Sequence, residues 1–289
     1  MRIRRRITRL WIAFSARALR GITNAGSWVL VLGSFVAACS SGSPTAATPS
    51  APVPTATAAA PSPVPSESPA PSSPAATPAP VALAEVAYRG NPDRRMVALT
   101  FDAGSDAGFT GDILATLRRE GVRASFSVTG LWAEQNRDLL LAIAADGHLL
   151  VNHSYDHASF TGLSTGTPAL TPAERALELS RTETTVYHLA QRTTRPYFRP
   201  PYGDVDPGVQ RDVAAAGYGV ILMWTVDSLG WNHASVAAII DRCVRLAEPG
   251  AIYVMHVGSE SQDAAALPGV ITGLRAAGYA FGTVDDVLP

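Results

Sequence analysis

Charge and sulfur are both scarce in this chain. Only 16% of its 289 residues are charged, and 23 basic against 24 acidic side chains leave a net charge of −1. No basic face stands out beyond the N-terminus, so no nucleic-acid partner is expected. Two cysteines, Cys39 and Cys243, are too few for a disulfide framework, and their contexts differ too much for pairing. A membrane-spanning run is missing as well. The apolar stretch Trp28 to Ala38 falls short of the roughly 20 residues a spanning helix needs. Extending it back over Leu10 to Ala18 brings in the intervening arginines. What remains is a chain 47% hydrophobic, long enough for one large domain or two small ones.

The first 38 residues have the form of an export signal. Arg2, Arg4, Arg5, Arg6, Arg9, Arg17 and Arg20 form a basic start, and the apolar run follows. Its end, Val36-Ala37-Ala38-Cys39, resembles a bacterial lipobox, in which the cysteine is lipidated and becomes the first residue of the mature chain. Plain signal cleavage near Ala38, with Cys39 lost or free, is the alternative. Residues 39–80 are almost entirely Pro, Ala, Ser and Thr, with Glu67 the single charge. Such a composition buries no core and favours polyproline II. Extended at about 3.1 Å per residue, it would reach on the order of 100 Å. The expected arrangement is an extracytoplasmic protein on the outer face of a cell membrane, lipid-anchored or secreted.

Residues 81–289 read as one folded domain. Apolar runs at Met96–Phe101, Ala124–Val128, His148–Asn152, Tyr197–Arg199, Tyr218–Val226, Ala251–Met255 and near Tyr279 alternate with helical patterns. The helices are expected over Asp112–Glu120, Leu131–Asp146, Pro172–Gln191, Pro207–Ala216, Ser235–Ala247 and Ala264–Ala277. Thr171 with Glu174 three residues on has the capping-box pattern. Repeated strand-then-helix units predict an α/β fold with a closed or partly closed barrel of about seven parallel strands. Chemistry in such barrels sits at the C-terminal strand ends.

The reactive residues fall at those ends. Asp102 follows the first run, and His153 and His157 follow the third. Arg199 to Tyr202, Asp227 to Trp231 and His256 close later ones. Two imidazoles four residues apart, opening a loop after a strand, suit zinc and related metals; alone they could equally be ordinary loop histidines. Asp102, ending a buried strand, could accept a proton from a metal-bound water or could cap a helix. His256 ends a wholly apolar strand and faces either the core or the site mouth. In Arg199-Pro200-Pro201-Tyr202-Gly203 two prolines stiffen the backbone. Arg199 could hold Asp102 ionised, and the Tyr202 amide could donate to an oxyanion; a simple turn is the other reading.

These runs, in this order, resemble the polysaccharide deacetylase family, also called the NodB homology domain or carbohydrate esterase family 4. The likeness covers about Met96 to Leu288. It implies a deformed (β/α) barrel and a hydrolase that removes N-acetyl groups from amino sugars. It implies that Asp102 is the catalytic base, Arg199 its tether and His256 the general acid. His153 and His157 become the ligands of a divalent metal, zinc above all. Tyr202 and Pro201 line the groove, and Trp231 supplies a hydrophobic wall. The chain departs from the pattern twice. The usual third metal ligand, an Asp after the base, is Ala103 here; Asp106 could replace it or could cap the next helix. The Asp that often orients the acid histidine is Gly230 here, and Asp227 could take that task.

The variant first motif and Pro249-Gly250-Ala251-Ile252-Tyr253 look like peptidoglycan-directed members. The expected partners are a polysaccharide, peptidoglycan foremost, and a membrane through the lipid anchor; a monomer is expected. An O-acetyl esterase, or a degenerate glycan-binding module, are the rival readings.

Overall fold

The computed structural model describes residues 82–104 and 106–289. The export signal, Cys39 and the Pro/Ala/Ser/Thr-rich segment read above lie outside the described residues. Nine strands occur among those described: β1 (Glu85–Ala87), β2 (Met96–Ala103), β3 (Ser125–Val128), β4 (Leu149–Asn152), β5 (Tyr197–Phe198), β6 (Val220–Leu222), β7 (Val226–Asp227), β8 (Ile252–His256) and β9 (Ala280–Gly282). Eight α-helices join them: α1 (Thr110–Glu120), α2 (Gly130–Gln135), α3 (Arg137–Ala145), α4 (Pro172–Ala190), α5 (Pro207–Ala215), α6 (Val236–Arg245), α7 (Asp263–Ala276) and α8 (Val284–Val287). The strands form one sheet in the order β1-β6-β5-β4-β3-β2-β8-β7, with β9 also paired to β2. Every strand pair is parallel. The sheet curls into the deformed, incompletely closed barrel that the strand–helix alternation predicts.

Two expected elements are broken in the structure. The helix expected over Leu131–Asp146 splits at Asn136, whose backbone leaves helical values at φ −125° and ψ 45°. Its side-chain amide donates to the Trp132 carbonyl at 3.0 Å, beside its own backbone amide at 2.9 Å, and closes the end of α2. The strand expected over Tyr218–Val226 splits between Leu222 and Val226. β6 pairs with β1 and β5, whereas β7 pairs with β8 at the other end of the strand order. Residues 223–225 therefore carry the chain across the gap in the barrel. The α4 capping box is present as expected, with Thr171 and Glu174 exchanging backbone bonds.

Side-chain parity along β2 decides what faces the barrel interior. Successive strand residues point to opposite faces. Val97, Leu99 and Phe101 join the cluster shared with Ile113, Leu117 and Ile271 on the surrounding helices. Ala98 joins a different cluster, with Val151, Leu222 and Ile252. Thr100 and Asp102 share its parity and meet the buried Arg199. β8 repeats the alternation: Tyr253 and Met255 join the helix-facing cluster, and Ile252 the other. Its register pairs Asp102 directly with His256. A slip of one residue would turn both side chains away.

Phe126 on β3 is fully buried and stacks on Phe101 with ring centroids 5.2 Å apart. Phe126→Ala should lower unfolding stability by roughly 3–5 kcal/mol, measured as a shift in the urea midpoint with an unchanged slope.

Candidate active site

Asp102 and His256 stand side by side at the C-terminal ends of two adjacent strands. The Asp102 carboxylate is 9% exposed, and Arg199 is fully buried beneath it. Arg199 follows β5, where its amide donates to the Asn152 carbonyl at 2.8 Å. Its guanidinium donates to Asp102 Oδ1 at 2.8 Å and to Thr100 Oγ1 at 2.6 Å. Two more bonds go to the carbonyls of Leu222 and Met223. Burial by itself would raise the Asp102 pKa. The Arg199 charge, helped by His153 and His256, outweighs it and brings the group down to about 2.

His153 and His157 leave the end of β4 and converge, with ring centroids 4.9 Å apart. The loop between them is bent at two non-glycine residues in the left-handed region, Ser154 at φ 65° and His157 at φ 67°. Such backbone is uncommon without side-chain support. Asn152 Oδ1 accepts from the Ser154 amide, and Ser154 Oγ accepts from the His157 amide. Glu178 on α4 accepts both the Tyr155 and the Asp156 amides. Asn152 is itself held by the Leu179 carbonyl and the Tyr218 hydroxyl. No sequence motif marks Asn152, Ser154, Glu178 or Tyr218 as part of the site. The one signal for Glu178 was a carboxylate on the inward face of an amphipathic helix.

The two rings are neutral, ligand-ready imidazoles. His153 Nδ1 donates to the Arg199 carbonyl at 2.8 Å, which leaves Nε2 with a lone pair, 3.8 Å from Asp102 Oδ2. Burial lowers the His153 pKa against the attraction of Asp102. Burial, reinforced by His153, brings His157 down to about 3. Gly104 lets the end of β2 pass close by; a Cβ there would lie 3.1 Å from the His157 ring. The donor chemistry of the histidine pair fits a divalent metal. The third ligand does not assemble: among the described residues no three His, Cys, Asp or Glu side chains are grouped to hold one ion.

Asp106, which the sequence offered either as that ligand or as a helix cap, is not grouped with the histidine pair among the described residues. Its carboxylate accepts from the Ser259 amide at 3.0 Å and from the Ser259 hydroxyl, and its carbonyl accepts from the Trp132 indole at 2.8 Å. It ties the loop after β2 to the loop after β8. Asp227 likewise does not serve His256. Its carboxylate accepts from the Leu229 amide at 2.8 Å and from the Trp231 indole at 3.3 Å. The carboxylate beside His256 belongs to Asp263, the first residue of α7, which the sequence reading passed over.

The remaining expected residues lie around the same rim. Tyr202 sits at φ 61° in a single 3₁₀ turn, half exposed, with its ring edge-on to His157 at 4.8 Å. Pro201 is buried in that turn. Trp224, not anticipated, lies with its ring 5.9 Å from the Arg199 guanidinium carbon. Trp231 is half-buried in the 3₁₀ turn Gly230–Asn232 that follows β7.

Comparison with known proteins agrees with this arrangement. Residues 89–221 match the polysaccharide deacetylase family profile. The peptidoglycan-N-acetylmuramic acid deacetylase PdaA of Bacillus subtilis is 30% identical over 204 residues, 70% of this chain and 74% of that protein. The peptidoglycan-N-acetylglucosamine deacetylase PgdA of Listeria monocytogenes is 31% identical over 67% of this chain, which spans only 39% of that protein. Among solved structures, a carbohydrate esterase family 4 pseudoenzyme from Bacillus anthracis superposes with a TM-score of 0.64 at 29% identity, covering 71% of this chain and 69% of that one. A curled parallel barrel with its polar residues gathered at the C-terminal strand ends, and a relative matched over most of its length, together make this chain a member of the polysaccharide deacetylase family and a hydrolase.

Proposed function

We infer that this hydrolase removes N-acetyl groups from amino sugars of peptidoglycan, releasing acetate and a free amine. The observation that carries the reading is the direct pairing of Asp102 with His256 across adjacent strands, with Arg199 fixing the carboxylate. Asp102 takes the proton of the attacking water. Being depressed to about 2, it is ionised throughout the neutral range, the protonation state a general base requires. The Tyr202 amide donates to the oxyanion that forms. His256 gives its proton to the departing amine nitrogen. His153 and His157 would hold a divalent metal, zinc being the first candidate, which when bound supplies Lewis-acid polarisation of the acetamide carbonyl. Peptidoglycan is favoured because PdaA and PgdA are both named for it. A lipidated Cys39 followed by the Pro/Ala/Ser/Thr-rich segment would fit the same reading, keeping the catalytic domain outside the cell membrane.

One rival has a specific observation behind it. Ala103 lacks the carboxylate of the common motif, and a pseudoenzyme is among the structural neighbours. A non-catalytic glycan binder would have no use for a depressed, arginine-held carboxylate beside a histidine. The base, its tether, the acid and both imidazoles are all retained here.

Acetate release from peptidoglycan, chitooligosaccharides and acetylxylan, each with and without a chelator, tests the assignment. Release from peptidoglycan should exceed that from the other two and stop on chelation; preference for acetylxylan would favour ester hydrolysis. Asp102→Asn should reduce turnover by roughly 10²–10⁴-fold while the circular dichroism spectrum stays unchanged.

Asp102 also predicts a pH effect on stability. Its folded pKa of about 2 lies below the ordinary 3.8, so its stabilisation is complete above pH 3.8 and is lost as pH falls through about 2. Over that interval the wild type should lose on the order of 2 kcal/mol more than Asp102→Asn, read from denaturation midpoints at successive pH values.

A further inference from the structure

We propose that Asp263 is the residue that positions His256, and that Gly230 is glycine because the Asp263 carboxylate occupies the volume its side chain would need. The inference rests on the reading of His256 as the proton donor to the leaving amine. It assigns to the start of α7 a task that the family pattern gives to the residue before Trp231.

Asp263 is fully buried. Its Oδ2 accepts from the His256 amide at 2.8 Å and from the Ser261 hydroxyl at 2.9 Å. The same oxygen lies 3.9 Å from His256 Nδ1. His256 Nδ1 is a buried atom without a hydrogen-bond partner, although the side chain as a whole is 31% exposed. The ring therefore turns its Nδ1 edge toward the carboxylate and leaves the rest toward the rim where substrate would enter. The gap exceeds a hydrogen bond by about 1 Å, and such contacts commonly tighten only when substrate is bound. An Asp263 carboxylate clamped by the backbone of His256 itself cannot drift from the ring it serves.

Gly230 supplies the independent observation. Its φ is not in the left-handed region, so backbone conformation does not demand glycine there. Space does. A Cβ on residue 230 would lie 2.3 Å from Asp263 Oδ1 and 2.5 Å from its Cγ. An acid at position 230 and an acid at position 263 would fill the same volume. The two positions thus offer alternative routes for a carboxylate to reach one place behind the histidine, and this chain uses the second. Burial raises the Asp263 pKa against the pull of its hydrogen-bond donors and of the neighbouring His256.

Asp263→Asn, Asp263→Ala and the double variant Gly230→Asp with Asp263→Ala test this, measured beside wild type and His256→Ala. Asp263→Asn should lower kcat by roughly 10- to 100-fold with KM within about two-fold. The double variant should recover at least about ten-fold over Asp263→Ala. Long-range ¹H–¹⁵N spectra, with His256 assigned by its absence in His256→Ala, should show the neutral ring protonated at Nδ1 in wild type and shifted toward the Nε2 tautomer in Asp263→Asn. An unchanged tautomer and unchanged kcat in Asp263→Asn overturn the positioning role; a double variant no better than Asp263→Ala overturns the shared volume. Wild type that releases no acetate from any substrate would sink the deacetylase reading instead, and the tautomer comparison still decides the role of Asp263.

Discussion

The buried ion pair between Arg199 and Asp102 is the constraint around which the rest of the structure is arranged. A fully buried guanidinium is costly unless it is paired and hydrogen-bonded. Here all three nitrogens are engaged, by Asp102, by Thr100 and by the carbonyls of Leu222 and Met223. Those partners come from β2, from the end of β6 and from the segment that crosses the barrel gap. One side chain thereby pins the closure of the barrel and the base of the site together. A lysine could not replace it, because a compact ammonium cannot address four acceptors spread in a plane. The backbone of the same residue accepts the His153 Nδ1 proton. The orientation of the proposed base and the tautomer of the proposed ligand are therefore set by one residue.

Charge in the site follows from that pair. Arg199 and Asp102 cancel, and burial leaves both His153 and His157 uncharged. The imidazoles can then donate lone pairs, while the carboxylate keeps a full negative charge far below neutral pH. A neutral amide entering such a site meets a base that is already ionised and two uncharged donors, an arrangement that burial produces without any further acid nearby. The missing carboxylate at Ala103 fits the same economy of charge. Another acid this close to Asp102 would work against its ionisation, unless a cation stood between them.

How much of this could be read from the sequence depends on whether a periodicity governed the residue. Strand parity and strand ends are periodic features, so Asp102, His153, Arg199 and His256 were legible as residues of one rim. Loop side chains obey no period. Asp106 has the right spacing to swing toward the histidines, yet its carboxylate bonds Ser259 and its carbonyl bonds the Trp132 indole. Asp263 was hidden for a related reason. An acid in the first turn of a helix is ordinary there, because it suits the helix dipole, so nothing in the sequence marks it as reaching back to a histidine. Gly230 did leave a trace, as a departure from the family pattern, but only coordinates show that its lost side chain and the Asp263 carboxylate claim the same space. The broken elements were illegible because one non-helical residue, Asn136, and one crossing of the barrel gap after Leu222, interrupt continuous hydrophobic patterns.

The rim is also where the backbone is most strained. Ser154, His157 and Tyr202 all adopt left-handed conformations without being glycine. Each costs on the order of 1 kcal/mol or more and survives only where neighbours fix it. The neighbours are identifiable: Asn152 and Ser154 close the histidine loop, Glu178 accepts two of its amides, and Tyr218 and Leu179 hold Asn152. This network joins β4, α4 and the residues just before β6. Its effect is to bring two rings into edge contact in a loop where sequence spacing alone would leave them free to diverge. A site assembled this way needs no loop closure to position its imidazoles, since the stability of the fold already holds them at the geometry in which they share one face with Asp102.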